Sequence, residues 1–129
     1  MAQPAARKGD RIVALDMHLI QPPGPTSPVL VPHPYSGVID GNVSANVTIG
    51  GAAAATVDST ATNTPAHLPI GGSFVNPPSN RASIVKGSAS VTINGKAAAR
   101  AGDTAKTCND PTDMPVGTVV AVGQVVIGG

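Results

Sequence analysis

Few side chains in this sequence could bind a transition metal, but they are of suitable types. The chain has 129 residues and contains three histidines and one cysteine, at His18, His33, His67 and Cys108. Three imidazoles and one thiolate form a closed tetrahedral set that suits Zn²⁺. No short ligand spacing such as C-x-x-C is present, so spacing alone does not separate a shared site from scattered histidines and a buried thiol.

An internal repeat relates the positions of these residues. Residues 47–51 read Val-Thr-Ile-Gly-Gly and residues 91–95 read Val-Thr-Ile-Asn-Gly, 44 residues later. Each is followed by a run of alanines and then by an aspartate, Asp58 or Asp103. Gly-Gly and Asn-Gly accept positive φ angles, so each copy predicts a hairpin with a two-residue turn.

A third copy of the repeat is divided between the two ends of the chain. Residues 125–129, Val-Val-Ile-Gly-Gly, match the first half, and residues 4–10, Pro-Ala-Ala-Arg-Lys-Gly-Asp, match the second. We therefore expect the termini to pair and complete a third hairpin unit. This predicts a single domain over residues 1–129 with pseudo-threefold symmetry, whose third repeat is split between 122–129 and 4–10, and no fused effector domain.

The candidate ligands follow the three units in a similar way. His18 lies eight residues after Asp10, His67 nine after Asp58, and Cys108 five after Asp103. Pseudo-threefold symmetry would bring them to one end of one axis, where His33 from the proline-rich loop 31–35 could supply a fourth ligand. The sequence therefore predicts one structural Zn²⁺, which would compensate for a core with one Tyr, one Phe and no Trp.

The composition predicts an all-β fold. Fifteen glycines and thirteen prolines are typical of a turn-rich β protein, and helix-forming residues are scarce. Residues 21–34 contain six prolines and residues 63–80 contain four, which predicts long loops or edge segments. We assign the alternating β-branched residues of the three strands to the core in preference to an interface: Val47, Ile49, Val91, Ile93, Val125 and Ile127.

Charge and targeting signals exclude several function classes. The formal net charge is +1 without any run of basic residues, which argues against nucleic-acid or membrane binding driven by bulk charge. One cysteine excludes an intrachain disulfide. The sequence has no apolar run long enough for a membrane span and no secretory signal, which predicts synthesis in the cytoplasm and export by another route.

The repeats resemble those of the PAAR-repeat family. Residues 4–7 spell the Pro-Ala-Ala-Arg string that names the family, and residues 96–103 and 91–95 are similar to its repeat and to its strand-and-turn element. The resemblance covers nearly the whole chain in repeat order and ligand inventory. Thr56 departs from it, since it stands where Arg7 and Arg100 stand in the other copies.

The resemblance implies a fold, a site and a role. The fold would be a small pseudo-threefold cone of short β-hairpins with long proline-rich loops, and His18, His33, His67 and Cys108 would bind one zinc ion near its vertex. The blunt base would dock on a trimeric β-helical spike, one tip per trimer, in a type VI secretion system, phage tail or extracellular injection particle. The protein would be a structural membrane-piercing tip, not an enzyme, and could recruit effectors.

Two other functions are compatible with the same residues. A zinc-dependent hydrolase would need an open coordination position and a nearby base, and the chain has no Glu but has seven Asp. A free-standing β-repeat adhesin would show more than three units and regular ranks of Thr. A metal-bound solvent molecule would support the first alternative, and failure to bind any spike would support the second.

Overall fold

The computed structural model describes residues 2–129, and it confirms the all-β fold. These residues form thirteen strands and no helix, and therefore include no helix long and apolar enough to cross a membrane. The strands are β1 Gln3–Pro4, β2 Arg11–Gln21, β3 Val29–Gly41, β4 Thr48–Ile49, β5 Ala52–Ala53, β6 Thr60–Asn63, β7 Ser73–Phe74, β8 Arg81–Ile84, β9 Thr92–Ile93, β10 Lys96–Ala97, β11 Thr104–Thr107, β12 Met114–Val120 and β13 Val126–Ile127.

Six antiparallel strands close into a small barrel. Their order is β2, β3, β6, β8, β11 and β12, and β12 returns to pair with β2, where Thr118 faces Val13. Because the six strands form a closed ring, the sheet has no free edge where all six pair. Strands alternate inward and outward residues, and the larger side chains of the core come from the inward positions: Ile12, Tyr35, Ile39, Ile84 and Val119.

Three short hairpins stand at one end of the barrel. β4 pairs with β5 and β9 pairs with β10, each across a two-residue glycine-containing turn. The third pair joins the two ends of the chain, because β1 pairs with β13 through Gln3–Ile127 and Pro4–Val126. A second apolar cluster, smaller than the barrel core, lies between the hairpins and includes Ala5, Ala98 and Ile127.

A closed ring of backbone hydrogen bonds establishes the threefold relation between the units. The N–H of Ala6 donates to the carbonyl of Ala99, Ala99 to Ala55, and Ala55 back to Ala6, at 2.9, 3.0 and 3.0 Å. All three alanines are fully buried. No larger side chain fits where three backbones meet this closely, which explains the alanine runs in the sequence.

The ring also corrects the register of the predicted repeat. In two units the backbone N–H of an arginine donates to an aspartate side chain three residues later, from Arg7 to Asp10 and from Arg100 to Asp103. In the unit between them the Thr56 N–H donates to the Ser59 hydroxyl in the same way. Asp58 therefore matches Gly9 and Gly102, and all three have positive φ, at 78°, 95° and 88°. With Ser59 as the reference, His67 follows by eight residues, as His18 follows Asp10.

The first proline-rich segment, residues 21–34, is shorter as a loop than the sequence predicted. Residues 29–34 belong to β3, so His33 lies in a strand and not in a loop. Over this stretch β3 pairs with β2 alone, since its pairing with β6 begins at Gly37. Pro32 and Pro34 thus occupy an edge, where a missing N–H is tolerated. The hairpin of β2 and β3, with eleven and thirteen residues, is also longer than the short hairpins expected.

The residues assigned to the core in the three hairpin strands divide into two groups. Ile127 is buried, and Ile49, Val91 and Ile93 are partly buried and pack on the same cluster. Val47 is also partly buried. Val125 is about half exposed. It precedes β13, and its carbonyl accepts from the N–H of Ala5, so the backbone contributes to the fold while the side chain faces out.

Candidate metal centre

The barrel end opposite the hairpins contains the histidines and the cysteine. β2 starts beside the alanine ring at Arg11, and a rise of about 3.3 Å per residue places His18 roughly 23 Å further along. Asp16 and His18 lie two residues apart on β2, so their side chains share one face of the strand. Both residues are buried, so this face is the inner one. His33 points inward from β3, Cys108 directly follows β11, and His67 lies in the loop after β6.

Four ligand atoms converge at this end of the barrel. One atom each from Asp16, His18, His67 and Cys108 lies within 4.8 Å of the others, and all four residues have at most 9% exposure. The Nε2 of His18 is 3.8 Å from Cys108 Sγ. Ligands of a tetrahedral zinc at 2.0–2.3 Å are about 3.5 Å apart, so only small adjustments would be needed to close this set around an ion.

His33, the fourth predicted ligand, lies beside these atoms but outside the group. Its ring centroid is 5.5 Å from that of His18 and 5.7 Å from that of His67. Its Nε2 accepts from the N–H of Ile70 at 3.3 Å, and its Nδ1 lies 2.8 Å from the carbonyl of Val31. Both ring nitrogens are therefore engaged with the backbone.

Asp16 takes a place in the cluster that the sequence reasoning did not assign to it. One carboxylate oxygen accepts from Thr107 Oγ1 and Asn109 Nδ2, and the other lies 2.9 Å from His67 Nε2 and 3.4 Å from Cys108 Sγ. No Arg or Lys among residues 2–129 forms an ion pair with this buried carboxylate. Its only ion-pair partner there is the His67 imidazole, and a metal ion at this point would supply the compensating positive charge. The strand alternation from His18 could have indicated Asp16.

Segments beyond the barrel strands hold the ligands in place. Asn109 Oδ1 accepts from the Met17 N–H at 2.7 Å, and Asp110 Oδ2 accepts from the Leu19 N–H at 2.7 Å, so the chain after Cys108 is fastened along β2. Asn80 Oδ1 accepts from the His67 N–H at 2.8 Å. These bonds restrict Cys108 and His67 before any ion binds.

The two aromatic residues of the chain both pack on the histidines. Phe74 lies 5.7 Å from His18 and 5.4 Å from His33 between ring centroids, and Tyr35 lies 5.9 Å from His67. The apolar rings shield the cluster from water, which strengthens electrostatic interactions inside it. Burial also raises the pKa of the Tyr35 hydroxyl, which donates to the carbonyl of Ala61.

The pKa shifts favour the neutral forms of Cys108 and His18, and a metal ion bound at Cys108 would have to displace the thiol proton. Burial, and then the Asp16 carboxylate, raise the pKa of the Cys108 thiol to about 12. Burial, and then the neighbouring charge of His67, lower the pKa of His18. The Nδ1 of His18 has no hydrogen-bond partner within residues 2–129 and lies 3.6 Å from Asp110 Oδ2. A metal on Nε2 would favour a proton on Nδ1 facing that carboxylate.

The donor set therefore fits a divalent metal ion. His18, His67 and Cys108 supply nitrogen and sulfur ligands, Asp16 or His33 completes four, and the site is enclosed as structural sites are. The fit concerns the class of ion, since imidazole and thiolate ligands suit several transition metals.

Comparison with known proteins agrees with the repeat pattern. The family model of the PAAR motif matches residues 31–111, which is more than half of the chain and includes the two intact hairpin units. Neither the curated proteins nor the solved structures provide a match. On the extent of the family match, the chain belongs to the PAAR-motif family of contractile injection systems.

Proposed function

We propose that this protein is the tip that caps and sharpens the trimeric central spike of a contractile injection machine. The observation that carries the proposal is the combination of the family match with a threefold ring of backbone bonds through Ala6, Ala55 and Ala99. A pseudo-threefold body can present three similar surfaces to the three chains of a spike. The protein would be made in the cytoplasm and leave it at the tip of the particle.

The hairpin end is the surface that we assign to the spike. Val122, Val125 and Val126 precede or belong to β13 there and are 85%, 48% and 57% exposed. Neighbouring exposed valines of this kind are typical of a protein interface. The barrel end with the buried ligands would then point away from the spike, towards the target membrane.

Binding to a purified trimeric spike tests this assignment. We expect one tip per trimer by size-exclusion chromatography with light scattering, and a loss of at least tenfold in affinity for Val122→Asp combined with Val126→Asp. Leu15→Asp is the matched control, because Leu15 is 57% exposed but lies on the barrel wall. Equal binding by the base variant and the control would contradict the assignment, and no binding to any spike encoded nearby would contradict the tip function.

We also propose that the buried cluster holds one structural zinc ion. Its support is the set of four ligand atoms within 4.8 Å and the buried Asp16 carboxylate, which has no Arg or Lys partner within residues 2–129. When bound, the ion would cross-link β2, the loop after β6 and the end of β11. This role requires a closed shell of protein ligands, whereas the hydrolase alternative requires a solvent molecule on the metal. A metal-bound solvent molecule in a high-resolution crystal structure would therefore favour the hydrolase.

A further inference from the structure

The three hairpin units contact one another at three equivalent junctions. At the first junction Arg7 reaches the turn between β4 and β5, where its Nη1 donates to the carbonyls of Ile49 and Gly50 at 3.1 and 2.9 Å. At the second, Arg100 Nη1 donates to the carbonyl of Gly128, at 3.2 Å. A guanidinium group thus occupies the space between neighbouring units at two of the three positions.

At the third junction this space is partly open. Thr56 replaces the arginine and faces the turn between β9 and β10. A cavity of about 270 Å³ lies there, and its lining includes Asn42, Ser44, Asn46, Thr56, Asn94 and Lys96. This cavity, which we call the junction cavity, exists because one member of the threefold set has a short side chain.

Asn94 fills part of the vacant space. It matches Gly50, where an added Cβ would collide with the Arg7 guanidinium. The third junction therefore combines a small residue, Thr56, with a larger turn residue, Asn94. The other two junctions combine an arginine with a glycine in the turn. The Asn94 side chain reaches back to Ser44 and Asn46, which line the same cavity.

The direction of these hydrogen bonds determines which groups remain free. The Val47 N–H donates to Ser44 Oγ at 3.0 Å, so the Ser44 hydroxyl proton is available for the Asn94 Oδ1. Asn94 Nδ2 then donates to Asn46 Oδ1 at 2.9 Å. Both amide oxygens are consumed inside the network, which leaves the Asn46 Nδ2 protons as free donors.

A positive charge completes the donor set. Lys96 lines the cavity and forms an ion pair with Asp58 at 3.5 Å, with side-chain exposures of 51% and 67%. An exposed pair of this kind contributes little to stability, so the ammonium group can turn to another anion at little cost. The cavity therefore presents amide N–H groups and an ammonium group from adjacent units.

We propose that the junction cavity binds a carboxylate group, in particular the acidic side chain of a partner protein. A carboxylate accepts from several donors at once and gains from a charged one, which matches the Asn46 amide and Lys96. The proposal adds a specific anion site to the base and does not depend on the identity of the partner as a spike.

NMR titration of ¹⁵N-labelled full-length protein tests the proposal. The probe is the N-acetyl, N-methylamide derivative of aspartate, and the matched asparagine derivative is its neutral control. We expect saturable shifts at the side-chain amides of Asn46 and Asn94 with a millimolar Kd for the first probe, and at least tenfold weaker binding for the second. Acetate alone should bind more weakly than the aspartate derivative.

Two variants make the test specific to this cavity. Lys96→Met should weaken binding at least fivefold and Asn46→Asp should abolish it, while Lys106→Met, which removes an exposed lysine elsewhere, should leave it unchanged. Equal responses to the charged and neutral probes, no saturable shift, or undiminished binding by Asn46→Asp would each overturn the proposal. Tighter binding of acetate than of the aspartate derivative would overturn the assignment to a protein side chain.

Discussion

The buried pair of Arg100 and Asp103 shows what the arginines of the repeat do. The Arg100 Nη2 lies 3.0 Å from Asp103 Oδ1, Nε donates to Oδ2 at 3.2 Å, and Nη1 continues to Gly128. One side chain thus neutralises the aspartate of its own unit and binds the hairpin turn of the next. The sequence alone does not reveal this role, because the target of the arginine lies in another unit.

The first prediction concerns this pair. Arg100→Met should lower the free energy of unfolding by about 3 kcal/mol, because it leaves a buried carboxylate without its counter-ion. Arg7→Met should cost only about 1 kcal/mol, since Arg7 is partly exposed and mainly donates to two carbonyls. Chemical denaturation measures both. The combination Arg100→Met with Asp103→Asn should recover part of the loss, and no recovery would contradict this explanation.

A pH dependence follows from Asp10. Burial raises the pKa of its carboxyl above the usual 3.8, although the Arg7 N–H acts in the opposite direction. The folded state therefore binds the proton more tightly than the unfolded state, and stability is lost as the pH rises from 3.8 through the folded pKa. Asp10→Asn does not titrate and can still accept from Arg7. Its Tm should accordingly rise relative to the parent protein between pH 3.5 and 6.

Asp10→Asn also changes the net charge of the protein, so its Tm must be compared with that of a second variant that loses one negative charge. Asp113→Asn removes one negative charge from an exposed position and should show a much smaller change of relative Tm over the same range. An Asp10→Asn advantage that shrinks as the pH rises would contradict the assigned direction.

The identity of the fourth metal ligand is also a question about single residues. The sequence predicts His33, while the structure groups Asp16 with the other three. We expect Asp16→Asn to weaken zinc affinity more than His33→Gln, because His33 would have to give up two backbone contacts to reach the ion. Competition with a chromophoric chelator measures both affinities. If His33→Gln abolishes zinc binding while Asp16→Asn lowers the zinc affinity less than 100-fold, the role of Asp16 is to support His67 and not to bind the ion.

At the scale of elements, the short hairpins derive their stability from one another. Ile127 is 7% exposed and packs with Ala5 and Ala98, whereas its neighbour Val126 is 57% exposed on the same two-residue strand. Ile127→Ala should therefore cost about 2–3 kcal/mol, and Val126→Ala less than about 0.5 kcal/mol. Thermal and denaturant unfolding compare them, and equally small effects would mean that the terminal hairpin contributes little to stability.

Local sequence signals predicted some elements well and others poorly. The turns at Gly50–Gly51 and Asn94–Gly95 were predictable because few residue pairs accept two positive φ angles. The displacement of Asp58 from the Asp10 position was not, because Asp can adopt the conformation that Gly9 and Gly102 adopt. The length of the strand through Pro32 and Pro34 was underestimated, because that part of β3 is unpaired with β6 only as a result of where β6 ends, which is a tertiary fact.

The same distinction applies to the candidate site. His18, His67 and Cys108 could be predicted as metal ligands because the chain contains only three histidines and one cysteine. Aspartates are more numerous, so Asp16 did not stand out until its burial and its contacts with Thr107 and Asn109 were visible. A buried carboxylate becomes informative only when its counter-ions can be searched for in space.

At the scale of the whole molecule, two closures at opposite ends hold the fold together. The alanine ring joins the three units at the hairpin end, and it consists of backbone bonds between three fully buried alanines. The other end relies on side chains from β2, from the loop after β6 and from the residue after β11. Because most of the loops between these segments are long, a cross-link there removes much of the freedom that the unfolded chain would have.

The last prediction is that removal of metal destabilises the protein at this second end. With free zinc at 1,000 times its Kd, binding to the folded state adds about 4 kcal/mol, so excess chelator should lower the Tm by well over 5 °C. Cys108→Ser, which removes the thiolate ligand, should start with a reduced Tm and show little further change. In hydrogen exchange, amides around His18 and His67 should lose protection when the metal is removed, while the amides of Ala6, Ala55 and Ala99 stay protected. Uniform loss of protection at both ends would instead mean that the closures unfold as one unit, and an unchanged Tm would show that the four ligands need no ion.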